Sequence, residues 1–333
     1  MKRLVFLALG ALAASAASMA FASSAGYAVL QRHLLGGAGK WDYLTVDASA
    51  HRLYIARADR VMVMDTRTGK LIGEVPGTNG AHRVVIVQDQ HRGYVSNGHA
   101  DSVMPFDLAT LKPLPAIALS GKDPDAMLYD AATARLWAFN GHSNNISMID
   151  PVSGKETGTL ALPGKPEFAV TDDAGHVYVN LEDKAQIAKI DARASKVQAV
   201  WSLAPCEGPT GLAIDVAHQR LFSACANRHL VVLDAADGHQ VAVLGIGDNP
   251  DAAGYDASTG MVFSSNADGS LTVIHQHDAD HYTVVANLVT AKGARTLAID
   301  PETHRVLLAA PDVGVAAPTA TPGSFGVLVV GTH

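Results

Sequence analysis

Tyr43-Leu44-Thr45-Val46-Asp47, His51-Arg52-Leu53-Tyr54-Ile55, Val61-Met62-Val63-Met64-Asp65 and Leu71-Ile72-Gly73-Glu74-Val75 decide how the chain is read. Each run is short and rich in β-branched or aromatic side chains, and turn residues such as Thr68-Gly69 stand between them, so the four read as strands. The unit then returns along the chain. The Asp closing its first strand recurs as Asp130, Asp172, Asp215, Asp256 and Asp300, with Gln88 in the second copy. The spacing is about 42 residues, the length of one four-stranded propeller blade. The second strand recurs as Arg92-Gly93-Tyr94-Val95, Arg135-Leu136-Trp137-Ala138, His176-Val177-Tyr178-Val179, Arg220-Leu221-Phe222, Met261-Val262-Phe263 and Arg305-Val306-Leu307. Asp65, which ends the third strand, recurs as Asp107, Asp150, Asp191 and Asp234. An Asp in that place bonds its own turn backbone, so these repeated carboxylates read as structural.

The last copy is short. A loop rich in Pro, Ala and Thr over residues 311–323 leads to one further strand, and an orphan strand stands at residues 27–35. Pairing these two segments leaves no open sheet edge. The expectation is an all-β, seven-bladed β-propeller of four-stranded antiparallel blades, one domain over residues 23–333, its ring closed by pairing of the N-terminal strand with the C-terminal blade.

Leu53-Tyr54-Ile55-Ala56, Tyr94-Val95-Ser96-Asn97 and Val177-Tyr178-Val179-Asn180, coupled to Val-x-Val-x-Asp and Thr-Gly-Lys, resemble the YVTN repeat of YncE-like bacterial propellers. The resemblance covers essentially all of the chain after residue 22. It implies an exported propeller of a family whose members mostly lack assigned chemistry. Propellers host binding modules, lactonases and lyases alike, so the resemblance speaks to fold more than to function.

Lys2 and Arg3, an apolar run over residues 4–13 and Ala20-Phe21-Ala22 have the pattern of a secretory signal cleaved after Ala22. The expected compartment is the periplasm or the exterior, with no membrane span after cleavage and a monomeric chain. Loss of Lys2 and Arg3 takes the formal charge from −7 to −9, since residues 1–22 hold no acid. An acidic surface without a basic cluster disfavours nucleic acid as a partner. In an oxidising compartment Cys206 and Cys225 read as a disulfide in preference to free thiols or metal ligands.

Counting back five positions from each first-strand Asp, and from Gln88, gives Asp42, Arg83, Asp125, Glu167, Thr210, Asp251 and Arg295, a ring at the mouth of the central channel. A channel mouth is wet, and polar residues sit there by default. Carboxylates held on rigid strands also suit a cation, an amine or a polyhydroxylated ligand. Arg83 and Arg295 flank Asp42, either in ion pairs or as a clamp for a ligand carboxylate. Loops on the same face add Arg57, His99, His142 and Glu182. His82, His99 and His142, converging from adjacent blades with Asp125 or Glu167, offer N and O ligands to Zn²⁺, Cu²⁺ or Ni²⁺, though no close His-x-His pair is present. The preferred reading is a non-catalytic binding or scaffolding module for a small polar ligand, a metal or a periplasmic protein. The alternative is a metal-assisted lactonase or lyase using Glu167 and His142 as acid and base. A divalent metal is the one cofactor the residues suggest, because no glycine-rich nucleotide signature stands in its required strand-to-helix context.

Overall fold

The structure, a computed structural model, describes residues 26–311 and 324–333. The expected signal segment over residues 1–22 and nearly all of the 311–323 loop lie outside the described residues.

The seven four-stranded blades expected from the repeat are corrected to six, five of four strands and one of six. The merger has a local cause. Arg52–Asp65 and Leu71–Val87 run as single long strands through segments that look like loops, Arg57-Ala58-Asp59-Arg60 and Pro76-Gly77-Thr78-Asn79-Gly80. Ala58 pairs with Ala81 beyond the Arg60–Pro76 pair, so the ladder continues across what the spacing separates. The Thr78 hydroxyl donates to the Ala58 carbonyl at 3.0 Å and holds the intervening excursion down.

Each sheet runs from an innermost strand outward, and the wide blade supplies two innermost strands, Leu44–Asp47 and the 81–87 part of Leu71–Val87. With Pro124–Asp130, Pro166–Thr171, Pro209–Asp215, Pro250–Asp256 and Thr296–Asp300 these line a central channel. The ring closes as expected: Tyr27–Leu34 pairs antiparallel with Gly326–Thr332, Tyr27 opposite Thr332, on the outside of the sheet that begins at Thr296–Asp300.

Apolar faces of neighbouring sheets pack together between the blades. Trp137, Phe139 and Ile146 of one sheet meet Val177, Val179 and Ala188 of the next, all fully buried. The repeated aspartates do the turn work expected of them. Asp215 accepts the Ala217 and His218 N–H groups, Asp65 those of Arg67 and Thr68, and Asp300 that of Glu302. Several also bridge blades, as where Gln276 donates to Asp215 at 2.9 Å and Thr171 to Asp130 at 3.0 Å.

Candidate functional site

The mouth residues stand where the innermost strands are irregular. In four of these strands a Pro occupies the first position (Pro124, Pro166, Pro209, Pro250), a place where its missing N–H takes nothing from the ladder. The register then slips, between Pro124 and Met127, Pro166 and Ala169, Pro209 and Leu212, and Pro250 and Ala252. Asp125, Glu167, Thr210 and Asp251 therefore sit in bulges, which re-aim side chains away from the regular pleat. The same slip between Ala81 and Val84 carries both His82 and Arg83.

Neighbouring blades fix the backbone of these residues. Ser96 donates to the Asp125 carbonyl at 2.7 Å, Asn180 to that of Thr210 at 2.8 Å and Thr296 to that of Asp42 at 3.0 Å. The Tyr43 hydroxyl reaches the Asp251 carbonyl at 2.7 Å. Such bonds place the side chains before any ligand arrives.

His82 is the centre of the arrangement. Its Nδ1 lies 2.5 Å from Asp42 Oδ2 and 3.3 Å from Asp125 Oδ1. Burial disfavours its charge, but the Asp42 hydrogen bond and the charges of Asp125, Asp42 and Asp123 outweigh this and hold its pKa at about 9. Burial pushes Asp125 up to about 6, aided by Asp42 and Asp123 and opposed by His82. Burial pushes Asp251 up to about 7, with Asp42 adding to the rise and Arg295 opposing it. Glu167 is raised well above its ordinary value by burial and by Asp125, Glu182 and Asp251. Lys165 pairs with Glu182 and lies 3.8 Å from Glu167, and Arg295 lies 3.0 Å from Asp251.

The ligand atoms of Asp42, His82 and Asp125 lie within 4.8 Å of one another, an N/O set open to one ion. Of the three histidines considered with Asp125, His82 belongs to this group and His99 and His142 do not. His99 is exposed and packs beside Gly80, while His142 is exposed and faces Asp123 at 3.3 Å. Glu167 and His142, the acid–base candidates, have different partners, Lys165 and Asp123. Arg57 is fully buried inside a strand, its guanidinium donating to the carbonyls of Gly37, Ala38, Gly39 and Lys40 and stacking on Phe325. A second acidic group, Asp234, Asp237 and His239, is a turn whose carboxylates already accept backbone N–H groups and Arg220. Cys206 and Cys225 form the expected disulfide, Cα atoms 5.4 Å apart, tying the segment just ahead of the Pro209–Asp215 strand to the end of Arg220–Cys225. Thr210 itself donates to the Pro250 carbonyl at 2.8 Å and ties two blades together.

The whole ring superposes on solved structures of very different sequence. RRP9 WD40 repeats match with a TM-score of 0.77 at 9% identity, covering 92% of this chain and 98% of that one. A chain of the mitotic checkpoint complex matches at 0.74 and 14%, covering 93% and 96%. Hydrazine synthase of Kuenenia stuttgartiensis matches at 0.73 and 16%, covering 83% and 93%. The fold is a WD40-like β-propeller. No protein-family model and no curated protein matches the sequence. Likeness at these identities concerns the propeller's shape alone. Among the described residues no helix is long and apolar enough to cross a membrane.

Sequence spacing did not single out His82. Its signal lies in the alignment of copies: His82 stands in the position before the ring residue, which Pro124, Pro166, Pro209 and Pro250 occupy in four others.

Proposed function

We propose that this propeller is an exported, YncE-like, non-catalytic binding module of the periplasm or exterior, whose channel mouth takes a cation. The site is Asp42, His82 and Asp125, and the ion class is a divalent d-block metal such as Zn²⁺, Ni²⁺ or Cu²⁺. One observation carries the reading: two carboxylates and an imidazole from three separate segments of the chain bring their ligand atoms within 4.8 Å, each on a backbone fixed from the next blade or by a bulge. Three neighbouring carboxyl groups, Asp125, Glu167 and Asp251, are raised by burial and by the charges of nearby carboxylates, the condition a bound cation relieves.

The metal must displace the proton on His82, so binding strengthens as pH rises towards 9. Thermal melting of the protein from residue 23 onward with Zn²⁺, Ni²⁺ or Cu²⁺ tests this. A stabilisation larger at pH 8 than at pH 5.5, and absent in His82→Gln and Asp125→Asn, is expected, since a ligand specific to the folded state raises its melting point. Equal shifts in wild type and both variants would overturn the assignment.

A further inference from the structure

Below the carboxylates the channel changes character. Tyr43 and Phe168, each one residue inward from a ring position, meet with ring centroids 4.8 Å apart. The Arg83 guanidinium lies over both, 4.8 Å from the Phe168 centroid and 5.5 Å from that of Tyr43. These three side chains form a floor under the mouth. Beneath it is a cavity of about 350 Å³ walled by the innermost strands, with Val46, Val170, Ile214, Tyr255 and Ile299 towards its far end. Arg83 is the one charged residue among those that line it.

Arg83 is in direct contact with no carboxylate of the described residues, although the Asp42 charge acts on it through space. Among the described residues its side chain donates no hydrogen bond and joins no ion pair, and its Nε is buried without a partner. Aromatic faces stabilise a guanidinium from above and below but leave its in-plane N–H donors unsatisfied. A buried donor left without an acceptor, as Nε is, is costly, and a planar carboxylate is the acceptor that matches the guanidinium fork.

We propose that the lower channel binds a small monocarboxylate with an apolar body. Its carboxylate accepts the in-plane N–H groups of Arg83, and its hydrocarbon lies along Val46, Val170, Ile214 and Ile299. Mainly apolar side chains with a few placed polar groups are the usual make-up of small-ligand pockets; here Thr45, Tyr43 and Tyr255 bring hydroxyls and Arg83 the one charge, and the volume falls within the ordinary range. The site is separate from the cation site of the mouth and stands without it.

Octanoate is the probe, with octan-1-ol and octylamine as controls, read by isothermal titration calorimetry and melting temperature. Saturable octanoate binding is expected, weakened at least about tenfold in Arg83→Gln as the charge-assisted hydrogen bonds are lost. Octylamine should not bind, and octan-1-ol should bind as weakly as octanoate does to the variant. Val170→Phe, which narrows the cavity away from the floor, should also abolish octanoate binding while leaving the metal response intact; it decides the matter if Arg83→Gln fails to fold. His82→Gln should keep octanoate binding, so failure of the mouth assignment and failure of this one are distinguishable. Octanoate binding that is absent, or equal in wild type and Arg83→Gln, overturns the proposal.

Discussion

At the scale of single residues, the mouth is a place where protonation and folding are linked with one sign. Asp125 and Asp251 have folded pKa values of about 6 and about 7, above the ordinary 3.8, and His82 is raised from 6.5 to about 9. In each case the folded state holds a proton that the unfolded chain gives up at lower pH. Stability from these groups is therefore complete below their ordinary values and is lost as pH rises, from about 4 to 7 for the acids and from about 6.5 to 9 for His82. Asp125→Asn removes one buried ionisation, and the expected gain at pH 7.5 is on the order of 1 kcal/mol, reduced because His82 keeps only Asp42 as a close partner. Melting curves at pH 4.5 and 7.5 check the sign: the variant should gain at the higher pH alone. The ring positions were legible because a 42-residue spacing, counted roughly, places them with no knowledge of side-chain contacts. The dominance of His82 was not, because the choice among His82, His99 and His142 depends on which one a bulge turns inward.

At the scale of strands, close approach of backbones sets the ring's tolerance. Gly211, next to Thr210, lies so near the adjacent innermost strand that a Cβ there would meet Ala253 N at 2.3 Å and the Ala252 carbonyl carbon at 2.5 Å. These are backbone atoms and cannot swing aside. Gly211→Ala should cost about 1–3 kcal/mol, the usual penalty for overpacking, seen as a lower urea midpoint with an unchanged slope. An unchanged midpoint would show that the two strands can separate freely. Legibility fails here in a specific way. Pro76, Gly77 and Gly80 are turn residues by every local rule, yet the strand from Leu71 to Val87 passes through them because Ala58 and Ala81 pair beyond. Local composition cannot see a pairing that depends on where another strand lies. The Asp-bearing turns, in contrast, depend on residues two or three apart and were read correctly.

At the scale of the whole molecule, the ring is closed by hydrogen bonds and not by the chain. Tyr27–Leu34 covers the edge that Gly326–Thr332 would otherwise expose. Removal of residues 26–35 should forfeit a large share of the roughly 5–15 kcal/mol that holds a typical domain folded, and should leave a sticky edge. Calorimetry combined with light scattering reads both effects; a truncated protein that melts like the full one and stays dispersed would contradict them. The closure itself was legible, since an orphan strand at one end and a missing strand at the other admit a single repair.

The direction of that closure also sets how the ring responds to mechanical load. Tyr27 faces Thr332 in an antiparallel pair, so tension applied at these two residues opens the ladder from one end, loading its hydrogen bonds in succession instead of together. The seam is thus built to peel like a zipper when its two ends are drawn apart.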